Sequence, residues 1–319
     1  MISKEKILIL GGNGFIGRHV VAEFVAAGHG VRVFDRPRQN RMLNSGHQLG
    51  VEWQPGDFLN KADLSRALEG ISTVVHLISM TVPQNSFENP VHDAEANLIG
   101  TLRLLAAMKE KGVRRVLFIS SGGAVYGPPV YLPIDENHPT NPIVPYGISK
   151  LAIEKYLQMY AHTDGLQAIC LRVSNPYGPG QRIEKAQGVL TTFLYNTLAG
   201  MPLEIWGDGE VRRDFLYVQD VAKAFVLAFQ YLENGGSKRI FNIGAGQSWS
   251  INQLLKIISE ATAIEPQVSW KSPRSFDTPE NVLSNALAKS EFGWEPRILI
   301  HDGVRKTMEW LRENYQLSQ

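Results

Sequence analysis

Tyr146 and Lys150 stand four residues apart in the segment Tyr146-Gly147-Ile148-Ser149-Lys150. On a helix, positions i and i+4 share a face, so the Lys150 ammonium can lie near the Tyr146 phenol. A free tyrosine titrates near ~10, and a neighbouring cation favours phenolate. The expectation is a phenol acidic enough to exchange a proton with a substrate hydroxyl near neutral pH. The same pair also arises by chance on helix surfaces as a solvated lysine beside a tyrosine, so its context decides.

That context begins at the N-terminus. The apolar run Lys6–Leu10 leads directly into Gly11-Gly12-Asn13-Gly14-Phe15-Ile16-Gly17, followed by a helical pattern over Phe15–Ala27. A strand, a glycine turn and a helix start in this order bring a pyrophosphate onto free helix N–H groups. The spacing fits GxGxxG from Gly12 and GxxGxxG from Gly11, because a Cβ would obstruct the turn or the approaching phosphate. Gly11, Gly14, Phe15, Ile16 and Gly17 are therefore candidate cofactor contacts. A second run, Val31–Phe34, ends in Asp35, whose carboxylate would accept bonds from both ribose hydroxyls of the adenosine and would repel a 2′-phosphate. NAD is expected over NADP, with Arg36 beside Asp35 softening the preference.

Short β-branched runs at Lys6–Leu10, Val31–Phe34, Val51–Gln54, Thr73–Ile78, Arg115–Ser120 and Gln167–Val173 alternate with helical patterns at Phe15–Ala27, Asn60–Leu68, Pro90–Lys111 and Tyr146–Thr163. Such alternation predicts an α/β fold, a doubly wound parallel sheet with ligands at the carboxyl ends of its strands. After Val173 the rhythm loosens. The turn-rich Asn175–Gln181 stretch reads as an exit into a smaller C-terminal domain with helices at Val189–Ala199, Val218–Leu232, Ile251–Ala261 (Ser250 as N-cap) and Asp302–Tyr315. Expected domains are 1–173 for the dinucleotide and 174–319 for the substrate, with an element from about 214–245 returning to the first.

Composition restricts the partners. With net charge +1 and no long single-sign run, neither nucleic acid nor an anionic membrane surface is expected. The single Cys170, in the apolar run Ala168–Leu171, cannot form an internal disulfide and reads as a buried structural thiol. The N-terminal apolar run ends at Gly11, too soon for a signal peptide, and no stretch reaches the length of a membrane span; cytoplasmic residence is expected. No metal is expected.

Several spaced motifs in one order give the chain a resemblance to the extended short-chain dehydrogenases/reductases, especially the nucleotide-sugar epimerases and dehydratases. Besides the glycine turn and the Tyr146/Lys150 pair they are Asp57, His76-Leu77, Asn97, Ser120–Gly127, Asn175–Gly178, Gly207-Asp208-Gly209 with Arg213-Asp214-Phe215, and Gly293-Trp294. The resemblance spans Gly11 to Trp294. It implies a Rossmann-type first domain and a smaller α/β substrate domain. It further implies Asp57 and Phe58 around the adenine, Leu77 and Asn97 as further cofactor contacts, and Lys150 also on the nicotinamide ribose. Arg213 and Arg274 would grip a diphosphate with Asn175 as a further phosphate contact, and guanidinium groups match phosphate oxygens bidentately. Ser86 and Asn281 would complete the substrate contacts, Asn281 at the sugar pocket. Relatives commonly pair through the helices holding Asn97 and Tyr146, which implies a homodimer.

The family's catalytic Ser or Thr falls on Gly122, which has no hydroxyl. Ser121, one residue earlier, is the candidate in its place; a strand-end serine bonded to backbone, or a water beside Tyr146, are the alternatives. Related 4,6-dehydratases carry an Asp-Glu pair where this chain has Gly123-Ala124, so the acid and base that dehydration needs are not offered. The resemblance thus implies an NAD-dependent epimerase interconverting UDP-hexoses at C4 (UDP-Glc/UDP-Gal, UDP-GlcNAc/UDP-GalNAc or a uronic form). An NAD(P)H-dependent nucleotide-sugar ketoreductase and a catalytically impaired nucleotide sensor are the other readings.

Overall fold

The computed structural model describes residues 6–37, 51–81, 83–183, 188–273, 278–315 and 317. They form two compact units: Met1–Gly127 with Pro139–Arg172 and Ala222–Phe241, and Pro128–His138 with Val173–Val221 and Asn242–Gln319.

The first unit is built on a sheet whose opening strands are β1 (Lys6–Leu10), β2 (Gly30–Asp35), β3 (Val51–Pro55), β4 (Thr73–His76), β5 (Arg115–Ser121) and β6 (Gln167–Val173). With Ile240–Ile243 at one edge, the seven strands run in the order Ile240–Ile243, β6, β5, β4, β1, β2, β3, all parallel. Four of the five residues of β1 and all of β4 are buried, the continuous apolar run of strands covered on both faces. The chain leaves β1 toward β2 and β3, then returns to place β4 on the other side. The carboxyl ends of β1 and β4 therefore flank the topological switch point, where such sheets bind ligands. There Leu77 N–H donates to Leu10 O at 3.1 Å and Gly11 N–H to Phe34 O at 2.8 Å.

Helices pack on this sheet through stripes at helical spacing. Phe15–Ala26 buries Gly17, Val20, Val21 and Phe24. Pro145–Asp164 starts with Pro at its first turn, where no N–H is needed, and stops at Gly165 in the left-handed conformation. Its buried face is unusually polar. Glu154 accepts from Arg172 Nε (3.0 Å) and Nη2 (2.6 Å) and from the Ser120 hydroxyl, which bonds the helix to β5 and β6. Gly147 on the same face makes a close approach possible, because a Cβ there would lie 2.4 Å from Ala124 O.

The expected helix over Pro90–Lys111 is three pieces: Pro90–Asp93, a π-helical turn at Ala94–Ile99 and Gly100–Glu110. Asp93 and Asn97, four residues apart on one helix face, both point inward. Cys170 is buried and free, and burial pushes its thiol well above the usual range, in keeping with a structural thiol.

In the second unit, helices Val189–Leu198, Ile251–Thr262 and Ile300–Asn314 enclose a core that includes Leu190, Leu194, Leu254, Ile258 and Val304. Ser250 caps the second of these in a reciprocal capping box with Gln253. Strand Arg212–Tyr217 is the hub: Asn175–Tyr177 and Glu280–Asn281 pair with it in parallel, and Ser248–Ser250 antiparallel. The stretch expected as a turn-rich exit thus contains a short strand, hidden in the sequence by Asn175 and Pro176. No helix among the described residues is long and apolar enough to cross a membrane.

Candidate active site

At the switch point the glycine turn brings the start of the helix close against the end of β1. Gly14 N–H donates to Gly11 O at 2.9 Å, and a Cβ on Gly17 would stand 2.1 Å from that same oxygen, so the helix can start this close only with glycine. No described side chain caps Phe15–Ala26, which leaves its first turn to an anion. Phe15 and Ile16, both half-buried, open the helix. In front lies a cavity of about 120 Å³ bordered by Gly11, Gly14, Asp35, Asp57, Phe58 and Leu77. Backbone N–H groups of Asn13 (3.2 Å) and Arg36 (2.8 Å) each bond one oxygen of Asp35 and fix the carboxylate at the rim. Glycines, open helix end and placed carboxylate fit NAD.

Tyr146 and Lys150 come together at the carboxyl end of β5. Lys150 is 2% exposed, so it is not a solvated surface lysine. Its Nζ donates to Ile119 O at 2.9 Å and lies 4.7 Å from the Phe118 ring centroid and 5.5 Å from that of Tyr146. The expected acidification of the phenol by Lys150 needs correction. Loss of solvent is the largest influence on Tyr146 and pushes its pKa up to about 12; a hydrogen bond with Ser79 pulls it down, and the Asp93 charge pushes it up. The same desolvation brings Lys150 down to about 8, against the pull of Asp93 and Glu154. Packing has dehydrated both partners, which spacing alone does not disclose.

The supporting residues are rearranged relative to expectation. Asn97 spends its amide on the loop after β4, accepting Met80 N–H at 2.8 Å and donating to Thr81 Oγ1 (2.7 Å) and Asp93 (3.1 Å). It shapes the cavity wall from behind. Ser86 is fully buried; its hydroxyl donates to Pro83 O (2.8 Å) and accepts Tyr146 N–H (3.3 Å), so it fastens the Tyr146 helix. Ser121 Oγ accepts Ala124 N–H at 3.2 Å, the strand-end backbone bond. Two residues had no sequence signal. Asp93, wholly buried, accepts from Ser149, Thr81 and Asn97, and Ser79 borders the cavity.

The second unit carries the remaining candidates. Asn175 Nδ2 donates to Asp214 O at 3.0 Å. Arg213 Nη1 donates to the carbonyls of Arg212 (2.9 Å) and Thr278 (2.6 Å), and Asn281, 3% exposed, sits opposite Arg213 in the strand register. A cavity of about 540 Å³ beside them is lined by Trp206, Gly207, Asp208, Glu210, Lys271 and Pro279 among others. Trp206, absent from the sequence reasoning, offers an indole face there. Arg274 lies outside the described residues.

A parallel α/β sheet with a glycine-turn dinucleotide cradle and a tyrosine–lysine pair at the next strand ends defines a nucleotide-dependent enzyme of the redox-active kind. The chain belongs to the NAD dependent epimerase/dehydratase family, whose model matches residues 7–244, and NAD is its cofactor. It is 35% identical to the UDP-glucose 4-epimerase of Mycolicibacterium smegmatis over 98% of this chain and 100% of that one. It is 31% identical to the dTDP-4-dehydro-6-deoxyglucose reductase of Escherichia coli over 97% of this chain and 98% of that one. A crystal structure of UDP-glucose 4-epimerase with UDP-glucose from Thermotoga maritima matches with a TM-score of 0.90 at 35% identity, over 97% of this chain and 99% of that chain.

Proposed function

We propose that this protein is an NAD-dependent epimerase that interconverts UDP-hexoses at C4 through a transient 4-keto sugar. The observation that carries the reading is a half-buried Tyr146 beside a buried Lys150 at the strand ends, with no carboxylate at Gly122-Gly123-Ala124. Epimerisation needs one group that takes the C4 hydroxyl proton and gives it back, whereas dehydration needs an acid and a base besides. NAD, when bound, supplies a two-electron acceptor that can return the same electron pair, so no second substrate is consumed. Tyr146 holds the proton between the two half-reactions. Lys150, fixed on Ile119 O, keeps a cation within reach of the ring and would also hold the nicotinamide ribose of bound NAD. Ser121 remains a candidate for the sugar hydroxyl should its bond to Ala124 be given up. The similarity to UDP-glucose 4-epimerases over the whole chain supports the same reading.

On this reading Arg213, Arg274 and Asn175 hold the diphosphate, and the Trp206 indole offers a stacking face for the base. Asn281 bounds the sugar pocket, where an amide leaves more room than an aromatic. Asn281→Tyr is expected to lower turnover of UDP-GlcNAc relative to UDP-Glc by roughly tenfold; an unchanged ratio removes Asn281 from the pocket. A homodimer fits the apolar residues left exposed on the helices around Asn97 and Tyr146, namely Val91, Ile148, Tyr156 and Met159. Cytoplasmic residence belongs to the same reading.

The test is direct. Purified protein should retain NAD and interconvert UDP-Glc and UDP-Gal, or their N-acetyl or uronic forms, with no cofactor added. The second reading, a ketoreductase, draws on the similarity to the E. coli reductase. Stoichiometric NADH consumption with a 4-keto sugar, without interconversion, would establish it instead.

A further inference from the structure

The Arg213-Asp214-Phe215 motif holds a carboxylate that the proposed function leaves unused. Asp214, on the hub strand Arg212–Tyr217, is fully buried. Its Oδ1 accepts Ala245 N–H at 2.7 Å, and its Oδ2 accepts Leu283 N–H at 3.1 Å and Gly246 N–H at 3.4 Å. Gly244 makes this approach possible, since a Cβ there would stand 2.5 Å from Oδ2. Asn285 Nδ2 donates to Gly244 O at 3.3 Å and closes the same turn. One side chain thus ties the turn at 244–246 and the segment at Leu283 to the hub strand. The described residues proposed to contact the substrate stand on these elements. Asn175 Nδ2 donates to the Asp214 carbonyl at 3.0 Å, Arg213 is the preceding residue, and Asn281, two residues before Leu283, is the register partner of Arg213.

We propose that Asp214 is a positioning residue for substrate binding: by holding the 244–246 turn and Leu283 to the hub strand, it sets Arg213, Asn175 and Asn281 at the spacing a nucleoside-diphosphate sugar requires. Three amide donors converge on it, and only an ionised carboxylate of this size accepts them all without presenting a hydrogen of its own. Asparagine keeps one oxygen and turns an NH2 group toward amide donors, in a buried place where no water makes good the loss. The strand Glu280–Asn281 is two residues long and leans on bonds beyond its end: Leu283 N–H to Asp214, Ile134 N–H to Val282 O and Ser284 N–H to Ile134 O. Burial is the largest influence on the Asp214 carboxyl and lifts its pKa from 3.8 to about 6, while the amides of Ala245 and Leu283 pull it down. Of the charged groups on the elements around it, Arg212 bonds Ser248 and pairs with Glu280 at 3.4 Å, and Arg213 Nη1 is on the carbonyls of Arg212 and Thr278. Glu136 accepts Asn242 N–H at 2.7 Å, and Tyr177, on the strand beside Asp214, stays a neutral phenol because burial raises its pKa. As pH falls through about 6 the Asp214 carboxyl takes up a proton, meets the amides with an O–H and releases one of them. Substrate affinity then falls with pH.

The proposal rests on Arg213, Asn175 and Asn281 being substrate contacts of the proposed epimerase, and the experiment separates the two. In the NAD-loaded enzyme at neutral pH, Asp214→Asn is expected to raise KM and Kd for UDP-Glc roughly tenfold to a hundredfold, with kcat within about threefold of wild type. A residue that served stability alone would lower Tm without splitting KM from kcat. In wild type the Kd should rise roughly fivefold to tenfold as pH falls from about 7 to about 5, and the Asp214→Asn protein should show no such rise. Both phosphates of the sugar nucleotide are diesters and stay ionised over this range, so the ligand itself does not titrate. Unchanged KM in Asp214→Asn, or a loss confined to kcat, overturns the proposal. Should that protein not fold, the wild-type profile decides, and a Kd that stays flat over the same range overturns the proposal. Wild type that binds none of UDP-Glc, UDP-GlcNAc and UDP-GlcA overturns the underlying reading of the site, and this proposal with it.

Discussion

Tyr146→Phe is expected to lower kcat by roughly a hundredfold to ten-thousandfold, the usual worth of a positioned general acid–base. The substitution removes one oxygen and keeps the ring whose centroid lies 5.5 Å from Lys150 Nζ, so packing and the cation's surroundings persist. The glycine turn, Asp35 and the cavity they border are untouched, and NAD should remain bound. KM should change little, because the phenol's work is done on a proton that moves only during reaction. Measurement of kcat by UDP-sugar interconversion, with native mass spectrometry for bound NAD, checks both halves. Turnover within about threefold of wild type, with NAD present, would remove Tyr146 from the chemistry.

Acid should destabilise the protein through His76. Thr101 Oγ1 gives its proton to Asn97 O (2.6 Å), so it can only accept from His76 Nε2, 2.9 Å away. The imidazole is therefore the neutral Nε2–H tautomer, and Nδ1 has no hydrogen-bond partner among the described residues. Burial first, and the Lys150 charge second, bring its pKa from 6.5 down to about 3. Above 6.5 both folded and unfolded chains hold neutral imidazole, and no penalty exists. As pH falls from 6.5 toward 3 only the unfolded chain takes up the proton, so stability drops with falling pH. The loss reaches about 2 kcal/mol by about pH 5. Urea unfolding of wild type and His76→Phe at a series of pH values isolates the effect: the variant, its ring still between Phe58 and Phe118, should lose less stability over this range. Parallel curves would refute it.

Local patterns carried the parts of the site that could be read in advance. The strand–glycine–helix junction at Leu10–Phe15 and the carboxylate at Asp35 depend on neighbours in sequence, and Gly11, Gly14 and Asp35 border one cavity in the structure. The pairing of Tyr146 with Lys150 is a consequence of helix periodicity and holds for the same reason. What escaped depends on packing. The phenol's high pKa comes from lost solvent and from Asp93, over fifty residues earlier, and a spacing rule contains neither. The bonds that Asn97 makes to the Met80–Thr81 loop, and Ser86 to the Tyr146 helix, have no signal in their motifs. Ser79 lacks any pattern that distinguishes it from other loop serines. Asn175–Tyr177 was missed as a strand because its residues are turn formers and its pairing partner lies some forty residues away.

The buried Glu154–Arg172 pair has a bearing on how two stereoisomers are made. Separating these charges would strand each in a dry interior, at a cost far above thermal energy. The helix that presents the phenol is therefore anchored one turn past Lys150 and is not free to roll after a turning ligand. With Tyr146 as the proton carrier of the proposed function, inversion would come from the ligand turning past a fixed phenol. On that proposal tolerance for different rings would follow if selectivity is exerted on the nucleotide tail.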